Sequence, residues 1–280
     1  MARIAIGIPV FNEEKYVAST LATIIQQLDD FLDIEIWVSD NGSSDRSFNE
    51  IESVVNSFSQ ANNAIKLVRH PVNLGADFNF WYVFDNSDSE LFLWVGAHDQ
   101  LSKGYVAHGV RHMLANPDTS MFCGTHKALS ASGQQSDHDV NYDFSQKNPA
   151  ERYLRSIATL GNCYIFHSIF RRTALDSFER QSAPSSDHIL ISRFLWFGRL
   201  ELSADCFYKR RYFSAENRSK KTAAGNYVHS ANNAEFYESY LSDLEILASS
   251  RLPKRAKNAL IAQASAMLVN RFGTPFVSMN

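Results

Sequence analysis

Four times before Pro117 the chain repeats one pattern: a short run of strand-forming apolar residues, a polar loop, then apolar residues at helical spacing. The runs are residues 4–8, 34–38, 65–68 and 91–95, and the helical patterns after the first three carry Val17, Leu21, Ile24, Ile25 and Leu28, then Phe48, Ile51, Val54, Val55 and Phe58, then Phe78, Trp81, Tyr82 and Phe84. Strands alternating with helices across short loops specify an α/β fold with a mostly parallel central sheet wrapped by helices. Such a sheet gathers the loops that follow its strands along one edge, where ligands bind. Residues 9–13, 40–45, 73–75 and 98–100 are those loops.

The fourth run, Leu91-Phe92-Leu93-Trp94-Val95, is apolar throughout and predicts a strand buried on both faces. It ends in Gly96-Ala97-His98-Asp99-Gln100, an imidazole and a carboxylate side by side. Asp99 is a hard oxygen donor suited to Mg2+ or Mn2+ beside bound phosphates, although Asp also ends strands for turn formation alone. In the first loop Pro9 closes the strand. Asn12 is placed to cap the following helix, with Glu13 and Glu14 in its first turn. GxGxxG is missing after the first strand and GxxxxGK[ST] is missing throughout, so dinucleotide-fold and P-loop readings lose their main support and a metal would have to serve the phosphates.

Past Pro117 the pattern is less regular. Residues 120–123 suggest a strand, 130–146 a polar loop or irregular hairpin, and Asn148-Pro149 the opening of a helix through Leu160. Residues 163–170 suggest another strand. Ser185-Ser186-Asp187 starts a helix that Gly198 stops; 207–213 is strand-like, 214–230 is the best candidate for a mobile loop, and from Glu235 the pattern is helical twice, broken at Pro253. The expected organisation is 1–125 as one α/β half, 126–230 as the second half of the same domain, and 231–280 as a C-terminal helical extension.

A formal charge of −3 and 20% charged residues give no global sign of nucleic-acid binding. Lys209-Arg210-Arg211 and the segment 251–257 are local basic clusters. Three widely spaced cysteines without a CxxC pattern suggest neither disulfides nor zinc and fit a reducing, cytoplasmic compartment. No run approaches the roughly 18 to 20 apolar residues needed to cross a bilayer, so membrane contact would be peripheral. Leu260, Ile261, Met267, Leu268 and Phe272 beside Lys254, Arg255 and Lys257 could lie on an anionic surface, yet such a stripe more often packs on its own domain or a second subunit.

In order, Ile8-Pro9-Val10-Phe11-Asn12-Glu13, Val38-Ser39-Asp40-Asn41-Gly42-Ser43-Ser44-Asp45, Asn73-Leu74-Gly75 and Trp94-Val95-Gly96-Ala97-His98-Asp99 resemble the signature segments of family 2 glycosyltransferases of the GT-A fold. The match covers about the first 125 residues well and the rest in outline. The resemblance implies a nucleotide-sugar donor, usually a UDP-sugar, a divalent metal (Mn2+ or Mg2+), a hydroxyl acceptor on a glycan, lipid-linked or other molecule, and transfer with inversion. It carries donor contacts onto Pro9, Phe11, Glu13 and Asp40, adds Asn73, Gly75 and His98, and puts the metal motif on His98-Asp99-Gln100 with Asp99 as ligand. Here the chain departs from the pattern: His98 stands where a first carboxylate is usual. Imidazole is a poor Mg2+ ligand, so either Mn2+ is favoured or His98 touches only the donor's ribose or diphosphate. The resemblance also implies an acidic general base at the start of a later helix, which falls on Asp187; a carboxylate there lies at the positive end of the helix dipole and can accept an acceptor's hydroxyl proton, or it merely caps the helix. Arg210 and Arg211 are candidate contacts to the diphosphate or an anionic acceptor. A subunit of the same fold that binds nucleotide-sugar without catalysis is the competing reading, supported by His98. A nucleotidyltransferase is disfavoured because Phe11-Asn12-Glu13-Glu14 is acidic where such enzymes use a glycine-rich basic loop.

Overall fold

The computed structural model describes residues 3–29, 31–58, 64–130, 133–138, 142–161, 163–180, 186–213 and 233–273. The expected loop over 214–230 lies outside them. The first half lays down β1 (Arg3–Val10), α1 (Val17–Ile25), β2 (Asp33–Asp40), α2 (Ser47–Ser57), β3 (Ile65–Arg69), α3 (Ala76–Asp85) and β4 (Leu91–Trp94). β1 pairs in parallel with β2 on one side and β4 on the other, with Ile6 opposite both Ile36 and Leu93, and β3 extends β2, also in parallel. This is the sheet that the alternation predicts.

Both faces are covered, which explains why the strands read as near-continuous apolar runs. Ile4, Ile6, Ile8, Ile36, Leu91 and Leu93 pack against Val17, Leu21 and Ile24 of α1 and Ile51 of α2. The opposite face of β4, Phe92 and Trp94, packs against Val83 and Phe84 of α3. Every residue of β4 is buried.

The second half continues the same sheet with mixed pairing. It comprises β5 (Gln100–Leu101), α4 (Tyr105–Ala115), β6 (Thr119–Ser130), β7 (Gln135–His138), α5 (Pro149–Thr159), a 3-10 turn (Tyr164–His167), β8 (Ile169–Arg171), a second 3-10 turn (Arg172–Leu175), α6 (Ser186–Phe197), β9 (Arg199–Tyr212), α7 (Asn233–Ser249) and α8 (Lys254–Phe272). The strand order is β3-β2-β1-β4-β8-β6-β9-β5, with β7 on β6. β8 is antiparallel to both β4 and β6, while β9 runs parallel to β6. The sheet is therefore parallel through β4 and mixed beyond it, and β6 runs across residue 125 with a shift of its register to β9 between Gly124 and Thr125.

Two expectations are corrected. Residues 163–170 form a 3-10 turn followed by a three-residue strand, because this segment packs side chains against Trp94 and leaves only residues 169–171 to pair. The first helix starts at Val17, and Asn12, at φ 55°, does not cap it; its hydrogen bonds go elsewhere, as described below. Of the loop or irregular hairpin expected over 130–146, residues 135–138 form β7, which pairs back on 126–129 of β6, and Asn148 caps α5, accepting from the Ala150 amide at 2.9 Å.

The C-terminal helices pack on α5 and α6. Tyr240, Leu244, Leu260, Ala264 and Leu268 join Tyr153, Ile157, Ile189 and Trp196 in one apolar cluster, so the stripe on α8 is used within the chain, leaving Lys254 and Arg255 exposed. Buried arginines fasten this region. Arg193, fully buried, pairs with Asp243 of α7 and donates to the Ala174 carbonyl; Arg152 donates to the carbonyls of Leu195 and Trp196 at the end of α6; and Arg271 donates to those of Ile157 and Leu160 at the end of α5. Each supplies donors to orphan carbonyls that a helix end leaves unsatisfied. No helix among the described residues is long and apolar enough to cross a membrane.

Candidate active site

The loops after β1, β2 and β3 are laced together by short polar side chains. The Asn12 amide donates to Ser43 Oγ (2.9 Å) while Asn12 Oδ1 accepts from the Ser44 amide (2.9 Å). The Glu13 amide donates to Ser47 Oγ, and Glu14 Oε2 accepts from the Arg46 amide at 3.1 Å. Residues that by local pattern would cap a helix thus tie the first loop to the second, about thirty residues on. Asn41 Nδ2 donates to Asn73 Oδ1 (2.8 Å) and to the Gly75 carbonyl (2.9 Å), and Asn41 Oδ1 accepts from the Leu74 amide (3.0 Å). Gly75, at φ 97°, opens α3 in a conformation that an L side chain disfavours. Gly42, at φ 67°, has a second constraint: a Cβ would come within 2.6 Å of the Val72 backbone. Asn79 of α3 donates to the carbonyls of Val10 and Ser39, joining the ends of β1 and β2.

The end of β4 is tied to β9. Asp99, 1% exposed, accepts from the Tyr208 hydroxyl at Oδ2 (2.7 Å) and from the Arg211 amide at Oδ1 (2.8 Å). Burial and the facing carboxylate raise the Tyr208 phenol well above its usual value, so it remains a donor. The Arg211 guanidinium donates to the carbonyls of His98 and Ser130 and lies over the Tyr16 ring. His98 Nδ1 lies 2.8 Å from Glu13 Oε1, linking the first and fourth loops.

Above this floor lie two adjoining cavities. One, of about 290 Å3, is lined by Pro9, Phe11, Glu13, Asn41, Asn79, His98 and Asp99. The other, of about 270 Å3, has aromatic walls including Phe78, Trp81, Phe166 and Phe178, with Asp187 at one side. Ala76, Phe80, His167 and Arg210 border both, so they form one crevice.

Of the residues singled out from sequence, Pro9, Phe11, Glu13, His98, Asp99 and Arg210 line the first cavity. Asn73 and Gly75 hold Asn41 in its wall. Asp40 lies beneath, fully buried, with Oδ2 at 3.3 Å from Arg69 Nε. Arg211 supports the His98 loop through the bonds described above. Asp187 lines the second cavity from the first turn of α6; its Oδ1 accepts from the His188 amide at 3.0 Å. Burial and Asp187, to which its thiol hydrogen-bonds, push the Cys163 pKa far up. If Asp187 is only a helix cap, His188, Asp205 and Glu216 are the alternative bases in the sequence; His188 meets Phe236 and Phe272 edge-on, and Asp205 is exposed on β9. Glu216 is outside the described residues.

Asn41, Asn79 and His167 were not picked out from sequence. Asn41 falls within the second loop, but its polar partners are set by the third. Nothing local marks His167, whose place follows from the 3-10 turn.

Among the described residues no set of three His, Cys, Asp or Glu is arranged to hold a cation, and both oxygens of Asp99 already accept hydrogen bonds. His98 Nε2 and Asp99 Oδ1 are 3.8 Å apart. Two ligands at right angles on Mg2+ would stand about 3 Å apart, so the pair as placed is wider than adjacent positions on such an ion.

Residues 5–178, more than half of the chain, match the family described as Glycosyl transferase family 2. The chain belongs to that family. It is 34% identical over 105 residues to the abequosyltransferase RfbV of Salmonella typhimurium, a span of 37% of this chain and 30% of that protein. It therefore spans less than a third of that curated relative. The fold is similar to that of S. aureus TarS 1–349 in complex with UDP-GlcNAc (TM-score 0.66, 16% identity, 97% of this chain and 73% of that one). It is also similar to the mannosyltransferase PcManGT from Pyrobaculum calidifontis in complex with GDP-Man and Mn2+ (TM-score 0.57, 14% identity, 98% and 76%).

Proposed function

We propose that this chain is an inverting glycosyltransferase that moves a sugar from a nucleoside diphosphate donor to a hydroxyl acceptor in glycan synthesis. The observation that carries this reading is the single crevice in which strand-end loops of the first half meet the 3-10 turn, α6 and β9 of the second, a polar cavity joined to an aromatic one that holds a carboxylate. The base and ribose occupy the first cavity, against Pro9, Phe11, Glu13 and Asn41. The diphosphate lies towards His98 and Arg210, whose guanidinium offers paired donors to phosphate oxygens.

The acceptor enters among the aromatic side chains. Its hydroxyl oxygen attacks the anomeric carbon from the face opposite the diphosphate, Asp187 takes the hydroxyl proton, and the nucleoside diphosphate leaves with the bonding electron pair. His98 and Asp99 would hold the cation, Mn2+ in preference to Mg2+, which when bound offsets charge on the departing diphosphate. The three cysteines, all buried and unpaired, accord with a reducing, cytoplasmic setting.

The test is slow donor hydrolysis. Purified protein incubated with a panel of nucleoside-diphospho-sugars and Mn2+ is expected to release nucleoside diphosphate from one of them without added acceptor. Binding of that donor with no release over the same interval would favour the non-catalytic subunit instead.

A further inference from the structure

His167 belongs to neither the first-half loops nor the helix of Asp187, yet it borders both cavities. Its ring is held rigidly. One face stacks on Tyr208, with centroids 5.0 Å apart and planes 15° from parallel, and Nδ1 lies 3.0 Å from the Trp94 carbonyl oxygen. A carbonyl can only accept, so Nδ1 carries the hydrogen. Burial pushes the pKa down to about 4, against the nearby charge of Asp99, and the imidazole is therefore neutral near pH 7. In a neutral ring with Nδ1 protonated, Nε2 presents a bare lone pair. Among the described residues no hydrogen bond to Nε2 is formed, and the residue, 8% exposed, lines both cavities.

The junction between the cavities is where the sugar must sit if its diphosphate lies in one and its attacking hydroxyl arrives from the other. The groups bordering both sides divide by chemistry. Arg210 suits phosphate, Phe80 and Ala76 suit the apolar face of a sugar ring, and the Nε2 lone pair suits a hydroxyl donor while repelling phosphate oxygen. Resting on the donor-site reading above, we infer that His167 is a specificity-determining residue whose Nε2 accepts a hydrogen bond from a hydroxyl of the sugar being transferred. A buried acceptor of this kind discriminates strongly against a sugar lacking that hydroxyl, since the lone pair would be desolvated and unpaired. The same tautomer also suits a metal ligand, so the test must separate hydroxyl from cation.

Two substitutions divide the ring's functions. In His167→Asn the amide nitrogen can replace Nδ1 at the Trp94 carbonyl but nothing reaches the Nε2 position; in His167→Gln the longer amide places an oxygen near Nε2 and gives up the tether. Calorimetry with Mn2+ compares the unglycosylated nucleoside diphosphates of uracil, guanine, cytosine and thymine with their diphospho-hexoses. The readout is the ratio of affinities, sugar-bearing over sugar-free, for the base that binds. His167→Asn is expected to lower that ratio about tenfold, the worth of one hydrogen bond, with nucleoside diphosphate affinity unchanged, and His167→Gln is expected to recover part of it. An unchanged ratio in His167→Asn overturns the inference and leaves the donor reading standing. Equal loss of both affinities overturns it in favour of a metal-binding or structural role. If the wild-type chain binds no nucleoside diphosphate, the donor reading falls and this inference with it.

Discussion

The two halves of the crevice are built from different materials. On the donor side Asn12, Asn41, Ser43, Ser47 and Asn79 bind backbone groups of neighbouring loops, many bonds each of ordinary length. On the acceptor side α6, which carries Asp187, is clamped by Arg152 at its end and Arg193 along its length, under a layer of aromatic rings. Where many hydrogen bonds share the tie, losing one neutral member costs little, whereas a buried cation removed from its carboxylate leaves an uncompensated charge. The nucleotide side is therefore expected to tolerate substitution and the acceptor side to depend on a few residues.

The sharpest break in that comparison is Arg193→Met. It strands Asp243, whose carboxyl burial pushes up to about 6 against the pull of Arg193. The expected loss is roughly 3 to 5 kcal/mol in urea unfolding at pH 7.5, smaller at pH 5, where the carboxyl is neutral. Full recovery in Arg193→Met/Asp243→Leu would show that the pair adds no net stability over an apolar replacement.

Acid titration comes next. Because the folded-state value of His167 lies near 4, below the ordinary 6.5, the unfolded chain binds that proton first as pH falls. The stability it contributes is complete above about pH 6.5 and is lost as pH drops towards 4, by about 3 kcal/mol. The decline between pH 7 and pH 4.5 is expected to be visibly shallower in His167→Asn; equal slopes would remove the burial argument.

Asp99→Asn should cost about 1 to 3 kcal/mol, because a carboxamide oxygen facing the Arg211 amide leaves its NH2 on the Tyr208 hydroxyl, which must then reverse and accept a second time beside the Gly96 amide. Thermal unfolding measures this, and donor affinity should be compared only after correcting for it. At the small end, Asn12→Ala is expected to cost about 1 kcal/mol, with Kd for nucleoside diphosphate changed less than about threefold. A larger loss of affinity would mean that the donor loops do not share the tie among many hydrogen bonds.

The parallel half was legible because each strand carries its own evidence: apolar runs, polar loop, helical spacing. Asn12 shows where such evidence stops. Asn at a strand end can bond an amide three residues ahead or one in another loop, and only the fold decides. The second half resisted reading for a related reason. The segment with His167 has strand-like composition, yet its aromatic side chains pack under Trp94 and turn the backbone into a 3-10 helix. Asp99 was visible as a carboxylate at the end of a buried strand, but its burial beneath Tyr208 and Arg211 depends on β9, more than a hundred residues later. Arg210 and Arg211 looked equivalent in sequence; alternation along β9 sends one into the crevice and the other behind it.

The central claim, that first-half loops bind the donor while α6 supplies the base, is tested most directly by Asp187→Asn with the donor identified by hydrolysis. Asn caps a helix about as well as Asp, so thermal stability should hold. Turnover with acceptor at saturating donor should fall about 100 to 10,000-fold, and Kd for nucleoside diphosphate with Mn2+ should stay unchanged. Turnover within a few-fold of wild type, at equal stability, would contradict the account and reduce Asp187 to a helix cap.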